Sequence, residues 1–291
     1  MKPYDWMVHY TPQTDWINQK GIFVLFAEVS TGLGSGLYLV SLYFNSLAGM
    51  LISLLITVVL KGGFHVAHLR RPSRFWRMIL KVKTSWLARG FIFSILFIVF
   101  GAIQLAFSRW LPGSAWEVAF KTLAGIMAVL MATYMGFVMN YINGIPFWNS
   151  GLLPLLFLSF SMLSGLAVAI AIGLFGGAVD ILAALTGIRW LLPINAFFLV
   201  IYFWSATYTG PTGKHSVTQL IQGRIAPALW LGVVFIGLFI PFGLFISHSS
   251  AGASSAALLL PAIFCVLIGV ISFNYCLLKG ALYAPLIPTN R

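Results

Sequence analysis

The sequence predicts an all-α integral membrane protein with about eight transmembrane helices. Of its 291 residues, 60% are hydrophobic and 8% are charged, and the mean hydropathy is +0.98. Soluble domains carry roughly one-quarter charged residues. Runs of about 20 mostly apolar residues, the length that crosses the hydrocarbon core, recur between polar or Gly/Pro-rich interruptions. No interruption is long enough for a soluble domain, so we expect a single membrane domain over residues 1–291.

Eight apolar runs have this character, and we predict that they form two packed four-helix bundles. The predicted spans are Gly21–Phe44, Leu47–Leu69, Ser85–Phe107, Val118–Asn140, Leu152–Phe175, Leu191–Thr209, Ile225–Ile246 and Ala256–Leu278. An even number of spans places both termini on one side of the membrane, here called side A, opposite side B. The segment before the first span is polar, so we expect no cleaved signal peptide.

The positive charges are distributed unequally between the two sides. Of the 17 Lys and Arg residues, only Arg109, Lys121 and Arg189 fall on side B, and Lys61 lies inside a span. The side-A cations are Lys2, Lys20, Arg70, Arg71, Arg74, Arg77, Lys81, Lys83, Arg89, Lys214, Arg224, Lys279 and Arg291. The positive-inside rule therefore predicts a multi-pass protein of the cytoplasmic (inner) cell membrane with cytoplasmic termini. Because the net charge of +12 clusters in loops rather than on a face with base-stacking aromatic residues, nucleic acid is not an expected partner.

Glu28 and Lys61 are ionisable residues inside the first two predicted spans. Each lies about eight residues from side A, which is roughly 12 Å deep at a rise of 1.5 Å per residue. A charge inside the bilayer costs free energy, so such residues indicate a functional site by default. The two side chains are expected to pair, either for proton transfer and ligand binding or as a structural salt bridge between adjacent helices.

Lys61, His65 and His68 share one face of the second span, because their spacing is i, i+4 and i+7. Histidine both donates and accepts protons near neutral pH, so this stripe favours a proton path toward side A. In the alternative interpretation, His68 sits at the membrane interface and bonds a carbonyl group. Asp180, near side B, is the other acidic candidate for a path that crosses the membrane.

Haem and metal ions are not expected in this chain. Cys265 and Cys276 fall in the last span without the spacing of a metal site. The remaining histidines, His9, His215 and His248, lie in the N-terminal segment or at loop ends, so no second helix offers an inward-facing histidine at a matching depth.

Two regions carry recognisable motifs. The first contains His68–Pro72 (HLRRP), Arg74–Arg77 (RFWR) and Thr84–Gly90 (TSWLARG), and the second contains Tyr134–Gly136 (YMG), Pro146–Asn149 (PFWN), Leu153–Phe157 (LPLLF) and Ser164–Gly165. Together they resemble the NrfD and DmsC-like family of membrane anchor subunits, as in polysulfide reductase and dimethyl sulfoxide reductase. Eight helices with both termini on one side agree with that resemblance.

The resemblance implies a haem-free subunit that is not catalytic alone but binds quinone or menaquinone. Such a subunit anchors a molybdopterin catalytic subunit, containing molybdenum or tungsten, through a ferredoxin-like subunit with four iron–sulfur clusters. Electrons would pass between quinone and the nearest cluster across the side-A surface. Arg70, Arg71, Arg74, Arg77, Lys81, Lys83 and Arg89 would form the docking surface for that partner. In relatives with exported catalytic subunits this surface faces outward, which opposes the positive-inside prediction.

The resemblance also assigns residues to a quinone site. Tyr134 matches the family's quinone-contacting tyrosine, and its hydroxyl suits a neutral ring carbonyl because it donates a hydrogen bond without charge. His68 matches a histidine implicated in quinol oxidation in the dimethyl sulfoxide reductase type. That type has an acidic residue where this chain has Gly90. The polysulfide reductase type has a first-helix histidine where this chain has Ile22 or Phe23, and Glu28 is predicted to replace it.

Two other functions remain open from the sequence. A transporter would use the Glu28–Lys61 pair and would show inverted repeats and helices broken at mid-depth by Gly or Pro. A purely structural anchor would tolerate the loss of Tyr134 and His68.

Overall fold

A computed structural model describes residues 5–250 and 256–287 of the protein. In that part of the sequence, eight helices are long and apolar enough to cross a membrane. We number them α1 Gln19–Tyr43, α2 Leu47–His68, α3 Trp86–Trp110, α4 Ala115–Asn140, α5 Leu153–Leu174, α6 Ile181–Ala206, α7 Ala228–Ser247 and α8 Ala257–Lys279. The predicted fold class is therefore confirmed. Lys2 and Arg291, counted above among the side-A cations, lie outside the described residues, as does the side chain of His248.

Two spans begin at least three residues earlier than the apolar runs predicted. Helix α6 begins at Ile181 rather than Leu191, because Asp180 caps it by accepting hydrogen bonds from the backbone N–H groups of Leu182 (2.9 Å) and Ala183 (3.1 Å). Helix α4 begins at Ala115 rather than Val118, with Ser114 as its N-cap. The missed start of α4 contains Glu117, and the missed start of α6 contains Thr186 and Arg189.

Helices α1–α4 and α5–α8 form two four-helix bundles, as predicted. In the first bundle α1 and α3 each pack on α2 and α4, and in the second α5 and α7 each pack on α6 and α8. Helices α1 and α5 form the main contact between the bundles. A Cβ atom added at Gly36 would overlap the backbone of Ser161, and one at Gly165 would overlap the backbone of Gly36. Small residues here let two backbones approach closely, as is common in membrane helix pairs.

The near-terminal segments lie together on side A. Strands β1 (Thr11–Pro12) and β2 (Leu282–Tyr283) pair antiparallel, and Lys279 Nζ donates to Asn18 Oδ1 at 3.2 Å. The short helix Asp5–Val8 precedes β1. The other side-A connections contain 3₁₀ helices at Pro72–Lys81 and Pro146–Trp148 and an α-helix at Pro211–Gln222.

Two spans contain π-helical stretches. In α2 the π-helix Ile56–Lys61 lies between the α-helical parts Leu47–Leu55 and Gly62–His68. In α7 it covers Ala228–Phe239, followed by the α-helical part Ile240–Ser250. Single π-helical turns often mark functional sites. The π-helical turn of α2 ends at Lys61, one of the ionisable residues singled out from the sequence.

Candidate functional site

A cavity of about 820 Å³ lies in the side-A half of the first bundle. Residues of α1 to α4 and of the 3₁₀ segment Pro72–Lys81 line it. Its polar lining includes all the intramembrane residues that the sequence analysis singled out near side A: Glu28, Lys61, His65, His68 and Tyr134. The volume falls within the range of small-molecule sites, roughly 300–1,000 Å³.

Glu28 and Tyr134 join α1 to α4 at the inner wall of the cavity. The Tyr134 hydroxyl donates a hydrogen bond to Glu28 Oε1 at 2.8 Å, and both residues are buried. A buried carboxylate is costly unless hydrogen bonds compensate for lost hydration. The hydroxyl hydrogen of Tyr134 is thus committed to Glu28 in this state, rather than free to donate into the cavity.

Lys61 and Glu28 do not form the direct ion pair expected from their depths. The Lys61 ammonium donates to the Ser94 hydroxyl on α3 instead, while Ser94 donates to the Gly90 carbonyl at 2.7 Å. Lys61 Nζ also lies 5.2 Å from the centroid of the Tyr134 ring, within the range of a cation–π contact. Glu28 and Lys61 lie at similar depths and line the same cavity. Because of the way α1 and α2 are rotated about their axes, each of the two side chains bonds a neutral hydroxyl group instead of the other.

His65 and His68 both turn Nδ1 toward a backbone carbonyl. His65 Nδ1 lies 3.1 Å from the Lys61 carbonyl oxygen, and His68 Nδ1 lies 3.0 Å from that of Lys20. A carbonyl only accepts hydrogen bonds, so Nδ1 carries the hydrogen in each ring. In the neutral form, Nε2 is then a hydrogen-bond acceptor. The contact of His68 is the one named by the alternative interpretation, yet the same side chain also lines the cavity.

The rest of the lining is apolar and reaches the outer surface of the bundle. Val58 and Val66 of α2 and Leu87 and Ile95 of α3 line the cavity and are also exposed. These residues lie within spanning helices, where the outer surface faces lipid. The cavity therefore opens laterally between α2 and α3, with its polar groups on the inner side.

Sequence reasoning missed the structural role of Gly90 and the presence of Ser94 at the site. A Cβ atom added at Gly90 would overlap the Tyr134 ring, so a glycine is what allows that ring to pack against α3. Ser94 holds the Lys61 ammonium one turn farther along the same helix. The signal in the sequence was a small residue and a polar residue at i and i+4 in a mostly apolar helix.

The structure does not bring Asp180 to the cavity. Asp180 is exposed at the N-cap of α6, in the second bundle and at the side-B end. Its place in a proton path stays a prediction without a contact to support it. No group of three or more His, Cys, Asp or Glu residues in the described part of the sequence is arranged to hold a metal ion.

The predicted docking cations divide into two kinds. Six of them are exposed around the 3₁₀ segment: Arg70, Arg71, Arg74, Arg77, Lys81 and Lys83. The seventh, Arg89, is half-buried; its guanidinium donates to the carbonyls of Val82 (3.0 Å) and Lys83 (2.8 Å) and lies 4.6 Å from the ring of Trp86. Arg89 therefore stabilises the segment between α2 and α3 through these bonds, and its charge is not directed at the exposed surface.

The sequence matches the family described as polysulphide reductase, NrfD, over residues 21–285. The chain belongs to this family. Among curated relatives, this NrfD-family protein is 28% identical over 264 residues to protein NrfD of Escherichia coli (strain K12), covering 78% of this sequence and 82% of the relative. It is 25% identical over 233 residues to one of the polysulfide reductase subunits of Wolinella succinogenes, covering 72% and 74%.

Membership confirms the resemblance that the motifs indicated and agrees with the eight spanning helices. The name of the Wolinella protein designates it as one polypeptide of a polysulfide reductase. The matched range includes every cavity residue named above, and Trp16, which lies before that range, also lines the cavity.

Proposed function

We propose that this NrfD-family protein binds quinone or quinol in the cavity of the first bundle and exchanges electrons with a partner iron–sulfur subunit. The observation that carries the proposal is a lipid-facing opening between α2 and α3 that leads to buried polar groups. A quinone matches this arrangement, because it has an apolar tail and a ring with polar oxygens. A water-soluble transport substrate would gain nothing from a lateral, apolar entrance.

The polar groups suit a quinol better than they suit an ion. The His68 and His65 rings present Nε2 as an acceptor, so either can take the hydrogen bond of a quinol hydroxyl and then its proton. The Lys61 ammonium stabilises negative charge that develops on the second ring oxygen, because it is buried and retains donors beyond its bond to Ser94. Glu28 accepts a proton from the inner side while Tyr134 fixes its position.

Electrons leave the quinol toward side A in this scheme. The 3₁₀ segment Pro72–Lys81 places Phe75 and Met78 on the cavity and Arg74 and Arg77 on the exposed surface. A partner that docks on the exposed face would bring its nearest cluster close to the ring. We propose a ferredoxin-like subunit with four iron–sulfur clusters and a molybdopterin catalytic subunit with molybdenum or tungsten as the partners. Side A is cytoplasmic in this proposal, following the positive-inside rule.

The decisive experiment is purification of the native complex, followed by metal and quinone analysis and by turnover with menadiol. We expect iron, molybdenum or tungsten, and a quinone to co-purify. Replacing His68 by Ala should lower menadiol oxidation strongly, because it removes one of the two histidine acceptors at the ring. Tyr134→Phe should weaken oxidation less, since it removes the bond to Glu28 but keeps the ring packing.

The control variant is Gly63→Ala, at a cavity residue where an added Cβ atom meets nothing within 4 Å. It should keep both the bound quinone and the turnover. Metal-free, quinone-free protein would refute the proposal and favour transport. Full turnover in His68→Ala and Tyr134→Phe would instead favour a purely structural anchor.

Partner docking has a separate test. Arg74→Glu reverses the charge of an exposed side chain, so the iron–sulfur subunit should co-purify less, and the difference from the unsubstituted protein should shrink as salt screens the charges. The comparison variant is Lys121→Glu, which reverses a charge on side B. Equal retention of the partner by both variants would show that the basic face has another role.

A further inference from the structure

The connection between α2 and α3 has faces of different character. Its 3₁₀ helix, Pro72–Lys81, has three residues per turn, so side chains at i and i+3 lie on the same face. Phe75 and Met78 are half-buried and line the cavity. Trp76 and Ile79 form a second face, and both are exposed. The connection therefore presents large apolar side chains outward as well as toward the cavity.

Two cations lie beside the exposed apolar side chains. The Arg77 guanidinium lies 5.7 Å from the centroid of the Trp76 ring, within the range of a cation–π contact. Leu80 is 70% exposed, and the exposed Lys81 follows it at the end of the 3₁₀ helix. We define the interfacial patch as Trp76, Arg77, Ile79, Leu80 and Lys81. A patch of this kind combines apolar area with positive charge.

The positive charge of the interfacial patch is not offset by acidic residues nearby in the sequence. No Asp or Glu occurs between Glu28 and Glu117. The same connection exposes four further cations: Arg70, Arg71, Arg74 and Lys83. Clusters of Lys and Arg next to a spanning helix attract anionic lipids. The charge of the patch is therefore complementary to a phospholipid with a negatively charged headgroup.

The interfacial patch borders the lipid-facing opening of the cavity. Its segment joins the side-A ends of α2 and α3, where Val66 and Leu87 are exposed and line the cavity. The Phe75 ring packs edge-on against Phe91 of α3, with centroids 4.5 Å apart, which holds the segment on this helix. Trp is enriched at the ends of spanning helices, at the level of the lipid headgroups. The apolar side chains of the patch accordingly contact the headgroups and upper acyl chains.

We infer that the interfacial patch binds an anionic phospholipid of the side-A leaflet. Its two cations donate hydrogen bonds to the phosphate and the rest of the headgroup, while its three apolar side chains contact the acyl chains. The bound lipid holds the connection at the membrane surface and so keeps Phe75 and Met78 on the cavity. Arg74, outside the patch, stays accessible to the iron–sulfur partner. The inference does not depend on quinone chemistry, so it and the proposed function can fail separately.

The first test titrates the full-length chain in detergent with dioleoylphosphatidylglycerol or dioleoylphosphatidylcholine and follows the bound lipid by native mass spectrometry. The unsubstituted protein should bind the anionic lipid more tightly. Arg77→Gln combined with Lys81→Gln should weaken binding of phosphatidylglycerol about thirtyfold, which corresponds to about 1 kcal/mol for each cation. Binding of phosphatidylcholine should stay the same.

The matched control is Lys214→Gln combined with Arg224→Gln. It removes two exposed side-A cations from the connection between α6 and α7, outside the interfacial patch. This variant should bind phosphatidylglycerol like the unsubstituted protein. An equal loss in both double variants would overturn the inference, because the lipid would then respond to total charge rather than to the patch.

A second test uses the unsubstituted protein and Trp76→Phe in bilayers with brominated acyl chains, which quench tryptophan fluorescence on contact. The difference between the two proteins isolates Trp76, and brominated phosphatidylglycerol in a phosphatidylcholine bilayer should quench it more than brominated phosphatidylcholine does. Equal quenching by the two lipids would overturn the inference, as would equal affinity of the unsubstituted protein for both in detergent. Loss of the iron–sulfur subunit from Arg77→Gln/Lys81→Gln with unchanged binding of phosphatidylglycerol would overturn it in favour of a protein partner at the patch.

Discussion

The two bundles have the same architecture but different interiors. The first buries Glu28, Lys61 and Gln104, and it contains the cavity. As the structure describes them, helices α5–α8 carry only two charged side chains, Arg189 and Lys279. Arg189 donates to the Phe245 carbonyl at 3.1 Å, so its contact ties α6 to α7 rather than serving a cavity.

The second bundle is held by close backbone contacts and aromatic packing. Added Cβ atoms at Gly237 and Gly269 would overlap each other's backbones, which brings α7 against α8. The rings of Phe160 and Phe273 stack with centroids 3.9 Å apart. These contacts supply the van der Waals packing that drives helix association where lipid removes the hydrophobic contribution.

The side-A loop between α4 and α5 belongs to this scaffold. Trp148 Nε1 donates to the Leu277 carbonyl at 2.9 Å, and the Tyr202 hydroxyl donates to the Phe147 carbonyl at 2.7 Å. The Pro146–Asn149 motif, one of the strongest signals of the family, therefore reflects packing rather than chemistry. The comparison teaches that buried polarity separates the bundle that holds the cavity from the other bundle, whereas the motifs occur in both.

A substitution that disrupts the contact between the bundles should have the largest effect on stability. Gly36→Leu should prevent stable folding, because its side chain must enter space filled by the Ser161 backbone, and backbone cannot move aside as a flexible side chain can. The expected cost is about 3 kcal/mol or more. The measurement is the amount of monodisperse protein in detergent and its unfolding temperature from tryptophan fluorescence.

Gly243→Leu is the matched control, since an added Cβ atom there meets nothing within 4 Å and the residue is exposed on α7. It should fold normally and gain slightly from replacing a helical glycine. Equal yields and unfolding temperatures of the two variants would mean that the bundles are not joined through the α1–α5 backbone contact.

The depth of the ionisable residues in the membrane could be predicted from the sequence. Counting residues from side A brought Glu28 and Lys61 to one level and placed His65 and His68 between that level and side A, and the structure collects all four in one cavity. The family resemblance added Tyr134. Eight spans follow from hydropathy for the same reason: length and apolar content are local properties that a single segment carries by itself.

Partnership between helices was the part that the sequence did not predict. The Glu28–Tyr134 and Lys61–Ser94 contacts depend on how far each helix is rotated and which helices are neighbours, and neither is a local property. The π-helical turn ending at Lys61 shifts that rotation further. Caps also changed the boundaries: Ser114 and Asp180 start α4 and α6 before the predicted spans, and Glu117 therefore fell outside the fourth predicted span.

Gly90→Ala tests whether the proposed turnover depends on the position of the Tyr134 ring. The added methyl group would overlap the Tyr134 ring, which is buried and held by Glu28 and Lys61, so the ring must move. Displacement of about 1 Å at a reactive site lowers rates by up to about a hundredfold. Menadiol oxidation should fall, while the unfolding temperature changes little. Unchanged oxidation would show that the ring position is not important for turnover.

The smallest expected effect on stability comes from replacing one buried side-chain amide in each bundle. Asn195 on α6 donates to the Leu191 carbonyl at 2.8 Å, but its own carbonyl oxygen has no hydrogen-bond partner in the described structure. Gln104 on α3 is bonded at both ends. Asn195→Leu should therefore change stability by less than about 1 kcal/mol or raise it, because it removes an unpaired buried group.

Gln104→Leu should instead cost about 1–3 kcal/mol, since it leaves the Tyr38 and Ser108 groups without their partner. Unfolding temperatures of the two variants in one detergent give the comparison directly. If Asn195→Leu proved the more damaging, then the second bundle would depend on its polar group as much as the first does. The difference between the two bundles would then lie in the cavity and the buried charges alone.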